Sequence, residues 1–230
     1  RPVANHHRMR ASRARAFESS PWSDATDLIQ VRPDAIYFGD GAPNVEVQPF
    51  ARLQEAAAKA WADAPGNLGY GELAGYAPLR ELIAERMSVR GISASPDEIM
   101  VTNGSQQGID LIARLMLDPG DAILVEGPTY IGAMQTFDAY EVDYVVIPMD
   151  DEGIDVAALD ERLDRIERKP KLLYTIPAFQ NPTGASISPA RRAALLELAE
   201  RRHLLILADS PYGALWYDQP AARALRAGPP

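Results

Sequence analysis

The chain contains no cysteine, only three lysines (Lys59, Lys169 and Lys171) and only three histidines (His6, His7 and His203). Without thiols it has no disulfide framework, no thiolate metal site and no cysteine nucleophile. That absence suits a reducing compartment, and the cytoplasm is the expected location. Two histidines lie among the first ten residues and the third closes an amphipathic stretch, where a cation suits the helix dipole. A histidine metal cluster or a Ser-His-Asp triad therefore has nothing to stand on. No apolar run approaches the roughly 18 residues of a membrane span. A formal net charge of −9 argues against the clustered Lys and Arg on which nucleic-acid affinity is built. Neither a membrane nor a nucleic acid is an expected partner. There is no P-loop and no His-Glu-x-x-His. The glycine-rich run from Gly69 to Gly75 fails as a dinucleotide fingerprint, because no apolar strand precedes it and its glycine spacing is too long.

What is present is an ordinary globular composition, 47% hydrophobic and 24% charged over 230 residues, which fits one large domain. Residues 1–17 hold Arg1, Arg8, Arg10, Arg13 and Arg15 with no acid and read as an exposed terminal arm. Residues 18–48 read as extended or irregular chain, and 49–230 as the domain proper. From about Asp97, short apolar segments alternate with helical ones, which predicts an α/β fold with a mostly parallel sheet flanked by helices. The expected strands are Glu98–Val101, Ala122–Glu126, Asp143–Pro148, Lys171–Thr175 and Leu204–Ala208. Helical periodicity marks Gln106–Leu117, Val156–Ile166 and Pro189–Arg201, after two earlier helices at Phe50–Asp63 and Leu79–Arg90.

Four strand-end segments carry the chemistry. In Thr102-Asn103-Gly104-Ser105-Gln106-Gln107 a strand passes through small residues straight into a helix, a geometry that aims backbone N–H groups at one point and suits a phosphate. Ser105 as an ordinary N-cap is the plainer reading. In Glu126-Gly127-Pro128-Thr129-Tyr130 the phenol can lie over an aromatic ring or simply pack. In Phe179-Gln180-Asn181-Pro182-Thr183-Gly184 the proline keeps Asn181 extended, free to donate to a ligand oxygen, although a plain Asn-Pro turn would look the same. In Ala208-Asp209-Ser210-Pro211-Tyr212 the carboxylate can cap a turn or pair with a buried cation, with a phenol three residues on. All four fall at the carboxyl ends of strands, where ligands collect in open α/β sheets.

Taken together and in this order, the segments resemble the fold-type I pyridoxal-phosphate aminotransferases, particularly the branch of 2-aminoadipate and kynurenine aminotransferases and the effector domains of MocR-type regulators. The resemblance runs from about Ile36 to the end and includes Phe38 to Asn44, Gly69-Tyr70-Gly71 through Leu79-Arg80, Leu117 to Asp121, and Arg191-Arg192. It implies a pyridoxal 5′-phosphate cofactor, with Gly104, Ser105 and Gln106 on the phosphate and Tyr130 on the ring face. It further implies Asn181 and Tyr212 on the ring hydroxyl, and Asp209 on the protonated ring nitrogen that makes the cofactor an electron sink. Tyr70 would reach the phosphate of a neighbouring subunit in a homodimer, and Gly41, with Asn181, would lie beside the substrate. The implied activity is transfer of an amino group between an amino acid and a 2-oxo acid.

Departures from the family are as informative. Ala178 and Ala208 stand where members commonly carry Asn and an acid. The Schiff-base lysine is missing, since none of the three lysines lies in a Ser-x-Ser-Lys context. The sequence runs out where the family continues into the strand bearing that lysine, so the expectation is the amino-terminal part of a longer aminotransferase-like protein, inactive alone. The alternatives are a cofactor-sensing domain of a MocR-type regulator and a β-lyase on the same fold.

Overall fold

Ala122-Ile-Leu-Val125 is the kind of unbroken apolar run that a strand needs when helices cover both its faces. In the computed structural model, which describes residues 10–17, 34, 36, 41, 43–62, 69–217 and 224–226, it forms the centre of the sheet. Strand β1 (Ala122–Gly127) lies between β2 (Asp143–Asp150) and β4 (Leu173–Thr175), parallel to both, and β5 (Ile206–Ala208) continues parallel to β4. The two-residue β3 (Gly153–Ile154) turns back antiparallel on β2, giving the order β3-β2-β1-β4-β5. In register, Leu124 sits between Val145 and Leu173.

Because successive strand residues point to opposite faces, β1 and β4 divide their side chains between two cores. Leu124, Ile147 and Leu173 meet Leu159 of α5 (Val156–Arg165) and Leu195 and Leu198 of α6 (Pro189–Arg202). On the other face Ile123, Val125, Leu172 and Tyr174 meet Ile109 and Ala113 of α3 (Gly104–Met116) and Ala133 and Phe137 of α4 (Ile131–Asp138). Phe137 and Tyr174 pack edge to face, with centroids 5.6 Å apart and planes at 73°. The helical faces expected from periodicity face the cores: on α3 Ile109 and Ala113 are buried with Ile112 and Met116 half-buried beside them, and along and just past α5 Leu159 is buried with Val156, Leu163 and Ile166 half-buried.

Ahead of the sheet, α1 (Phe50–Ala62) buries no residue and α2 (Ala77–Val89) buries only Arg80. The expected helices thus recur with ends shifted by a residue or two. The expected terminal arm and extended segment lie mostly outside the described residues, which there include 3₁₀ turns at Ser12–Phe17 and at Val45–Val47.

Two differences from the sequence reading have physical causes. Glu98–Val101 is not a strand. Pro96–Glu98 is a 3₁₀ turn closed by a Ser95/Glu98 capping box, and Ile99 is extended but finds no partner strand among the described residues. Two residues on, Val101 packs against Gly75 and donates its N–H to Ala74 O at 2.8 Å. Conversely, α4 and β3 were not expected. One is eight residues long with Gly132 and Ala133 in its first turn, and the other has two residues, too few for a period to register. Among the described residues no helix is long and apolar enough to cross a membrane.

Candidate active site

The carboxyl ends of β1, β4 and β5 and the start of α3 enclose a cleft of about 180 Å³. Ser105, Tyr130, Asn181, Asp209 and Tyr212 line it, together with Ile176 and Pro211. Four separate sequence segments therefore converge. Larger hollows of about 380 and 450 Å³ lie at the opposite end of the sheet, beside Leu204 and Pro170 and beside Ala122 and Asp143. A third hollow of about 380 Å³ lies past the ends of β1 and β2, beside Pro128, Asp150 and Thr183, so what distinguishes the candidate is the convergence of the four segments at the strand ends, not size.

The helix start carries no side-chain cap. Gly104 has φ +76, a left-handed conformation natural to glycine, and turns the chain abruptly into α3. The N-cap residue is Asn103, not Ser105, and no side chain caps the helix. Ser105 thus lies inside the first turn with its side chain toward the cleft, and the plainer reading of it as the cap is set aside. The Gln106 side chain points away, donating through Nε2 to Gly132 O at 2.8 Å and to Thr136 Oγ1. It ties α3 to α4 and leaves to Gln106 only a backbone role at the helix start.

Asp209 follows β5 and is 8% exposed. Its N–H donates to Thr175 O (2.9 Å), and its Oδ2 accepts from the Tyr174 hydroxyl (3.0 Å). Burial pushes the carboxyl up, and the Tyr174 hydrogen bond only partly opposes this. The Tyr174 hydroxyl is in turn pushed up by its own burial and by the Asp209 charge. No cation contacts Asp209 among the described residues. Asn181 Nδ2 donates to the Tyr212 hydroxyl at 3.2 Å, joining two loops into one polar edge. The Tyr130 phenol is raised chiefly by burial and then by Tyr212 and Asp209. Beside it, Thr129 Oγ1 is buried without a hydrogen-bond partner.

Three residues to which the sequence reading gave no role stand behind this wall. Glu126 (3% exposed) and Gln180 (2% exposed) hydrogen-bond to each other at 3.1 Å, and Tyr174 orients Asp209. Their only signal in the sequence is polarity at the end of an apolar run. Burial raises the Glu126 carboxyl, opposed by Thr175, the Ile176 N–H and Gln180.

Two expected site residues are not brought to the cleft. Gly41 is exposed, with nothing within 4 Å of where a Cβ would stand, and Tyr70 is fully exposed on its loop. None of the lysines lines the cleft either. Lys59 pairs with Glu55 on α1, Lys171 pairs with Asp121 at the far end of the sheet, and Lys169 lines the hollow beside Leu204.

The raised carboxyls set a pH dependence. Glu126 and Asp209 lie above their ordinary values of 4.5 and 3.8, so the folded chain binds more protons than the unfolded one. Their contribution to stability is complete below those ordinary values and is lost as pH rises through the raised ones. Asp121, Asp150 and Asp160 are lowered by a backbone N–H or arginine partners and act oppositely, losing stability only at more acid pH. All three are at the surface, where such pairs contribute little. The cofactor-free chain is therefore expected to melt at a higher temperature near pH 5 than near pH 8, with Glu126→Gln flattening the slope. A melting temperature that rises over that interval would contradict the assignment.

Comparison with known proteins places the chain in a family. Residues 33–228 match the family model for class I and II aminotransferases. Aromatic-amino-acid aminotransferase 1 of Thermococcus litoralis is 38% identical over 98% of the chain and 55% of its own length. An uncharacterized HTH-type transcriptional regulator of Bacillus subtilis, YdfD, is 32% identical over 84% of the chain and 38% of its own length. The crystal structure of Pyrococcus horikoshii kynurenine aminotransferase, solved with PMP, superposes with a TM-score of 0.89 at 36% identity, over 98% of this chain and 56% of that one. The chain spans about half the length of the curated relatives it matches. With a family model that covers most of its length and a cleft at the carboxyl ends of its parallel strands, the chain belongs to the class I and II aminotransferases.

Proposed function

We propose that the chain forms the pyridoxal 5′-phosphate pocket of an aminotransferase that moves an amino group between an amino acid and a 2-oxo acid. The observation that carries the reading is the buried carboxylate of Asp209, which has no cation partner among the described residues and opens onto a cleft with an uncapped helix start at its edge. The pocket residues fit that group. Its phosphate would take the Ser105 hydroxyl and the N–H groups of Gly104, Ser105 and Gln106. Tyr130 would lie against its ring, Asn181 and Tyr212 would donate to its ring hydroxyl, and Asp209 would hold the proton on its ring nitrogen. Gly41 is proposed to border the substrate, with Asn181. When bound, the group supplies an electron sink for the substrate's alpha carbon. With no lysine at the cleft, this chain would hold it noncovalently.

Equilibrium dialysis tests this directly. The purified chain is expected to bind pyridoxal 5′-phosphate, without the absorbance of a lysine adduct, and to transfer no amino group. Failure to bind, or robust turnover of any amino acid by the pure chain, would refute it. The regulator relatives favour a second reading, a cofactor-sensing domain without turnover. Oxo-acid-dependent amino transfer by the full gene product separates the two, and ammonia release in its place would indicate a β-lyase.

The assembly proposed for the enzyme is a homodimer. Tyr70 is fully exposed on a loop whose neighbours Leu73 and Tyr76 are exposed as well, so nothing among the described residues accounts for this aromatic patch. A second copy that presents the same loop to the phosphate would account for it. Tyr70→Phe is expected to leave the dimer mass unchanged in light scattering and to weaken cofactor binding several-fold, as loss of one hydrogen bond to an anion does. A monomeric protein with undiminished cofactor affinity would defeat this reading.

A further inference from the structure

Glu126 is the next-to-last residue of β1, and from it the chain runs through Pro128 to Tyr130 on one wall of the cleft. Gln180 precedes Asn181 on another. Neither of the two lines the cleft, and both are almost completely buried. The Glu126 carboxylate accepts from Thr175 Oγ1, from the Ile176 N–H (3.1 Å) and from Gln180 Nε2 (3.1 Å). Gln180 Nε2 also donates to Pro128 O (2.8 Å), while Gln180 Oε1 accepts from Thr183 N–H (3.0 Å) and Thr183 Oγ1 (2.8 Å). Both donors and both acceptor positions of that amide are occupied. One buried side chain thus grips the backbone just before Tyr130 and the turn just after Asn181.

We propose that Glu126 and Gln180 are positioning residues, a buried bridge that fixes the separation of Tyr130 from Asn181 and so the width of the slot for a flat ring. The bridge rests on the cofactor reading above. Its cost is plain: a carboxylate buried without a cation must be offset by its three donors. An apolar pair filling the same space would serve stability at least as well. What hydrogen bonds add is direction, and direction is needed where Phe179, at φ 50, holds a left-handed conformation rare outside glycine. Phe179 N–H to Ser186 Oγ (3.0 Å) and Gln180 N–H to Ala185 O (2.8 Å) close the rest of that turn.

Two ligands separate positioning from simple support of the fold. Pyridoxal 5′-phosphate would use both the ring slot and the α3 start, whereas inorganic phosphate has only the latter. Gln180→Glu keeps the shape and the acceptors for Thr183 but removes the donors to Glu126 and Pro128. It is expected to lower pyridoxal 5′-phosphate affinity about tenfold, as loss of two buried donors allows, with inorganic phosphate held within about twofold. Thr183→Val, at an exposed position, removes the donor to Gln180 and the acceptor of the Ala185 N–H, and should lower pyridoxal 5′-phosphate affinity about threefold.

Equal losses for both ligands, or unchanged pyridoxal 5′-phosphate affinity in Gln180→Glu and Thr183→Val, would overturn the proposal. Amide exchange at Ile176 and Thr183 in the cofactor-free chain gives a readout that needs no cofactor. Faster exchange there in Gln180→Glu supports the bridge, and unchanged exchange refutes it. A wild-type chain that binds no pyridoxal 5′-phosphate would instead sink the cofactor reading, with exchange still deciding the bridge.

Discussion

Asp209→Ala is expected to lower the chain's affinity for pyridoxal 5′-phosphate by about ten- to a hundredfold while leaving inorganic phosphate binding unchanged. A hydrogen bond between charged partners in a buried site contributes about 1.5 to 3 kcal/mol, and tenfold corresponds to about 1.4 kcal/mol. The carboxylate is 8% exposed and its only side-chain partner among the described residues is a neutral phenol, so a protonated ring nitrogen would supply a charge able to offset its burial. Stability should move the other way, or not at all. In the cofactor-free chain near neutral pH the raised carboxyl is a net cost, and alanine removes that cost while leaving only the Tyr174 hydroxyl without its acceptor. Asp209→Asn keeps the shape and should show most of the affinity loss. Because pairing needs the ionised carboxylate, affinity should also fall as pH drops through the raised carboxyl value, and that slope should vanish in both variants. Dialysis alongside thermal melts of the same samples measures both quantities. Equal loss of ring and phosphate binding, or a melting temperature that falls with affinity, would show that Asp209 supports the fold and not the ligand.

That separation of stability from affinity also explains how legible the protein is in its sequence. Ala122-Ile-Leu-Val125 could only be a strand covered on both faces, and the apolar spacing of Ile109, Ile112, Ala113 and Met116 could only be one face of a helix. These are local periods, and the structure keeps them. The site segments were legible because three of them break such a period with polar or small residues at a strand's end and the other does so where a helix opens. Contacts between distant residues were not. Gln180 meets Glu126 from 54 residues away and Tyr174 meets Asp209 from 35, and neither pairing leaves any trace in spacing. Glu98–Val101 failed for a related reason. Its residues suit a strand, but a strand exists only with a partner, and partnership is a property of the sheet.

Arg80→Ala is expected to cost about 2 to 3 kcal/mol in denaturant unfolding, among the largest single-residue losses in this chain, because one side chain ties three backbone segments together. Arg80 is 8% exposed on a helix that buries nothing else. Its Nε donates to Gly75 O (3.2 Å), its Nη1 to Pro96 O (2.9 Å) and its Nη2 to Glu72 Oε2 (2.5 Å). The Asp97 contact at 3.5 Å reaches a carboxylate that is 96% exposed and adds little. The loss thus comes from two carbonyls deprived of their donor and from the packed stem, not from charge. Gly75, at φ +101, lies so close that an added Cβ would stand 2.7 Å from Val101 Cβ, and the Val101 N–H donates to Ala74 O. Val101 leads directly into Thr102, Asn103 and the start of α3, so the guanidinium holds the Tyr70 loop against the approach to the helix start. Arg80→Lys tests the fork itself. An ammonium cannot address Gly75 O, Pro96 O and Glu72 in their fixed directions, so most of the loss should persist although the charge is kept. Amide exchange at Val101 should quicken in both variants, and inorganic phosphate binding should weaken with it. If Arg80→Lys is as stable as the parent chain, or if Val101 exchange is unmoved, the guanidinium does not clamp this junction.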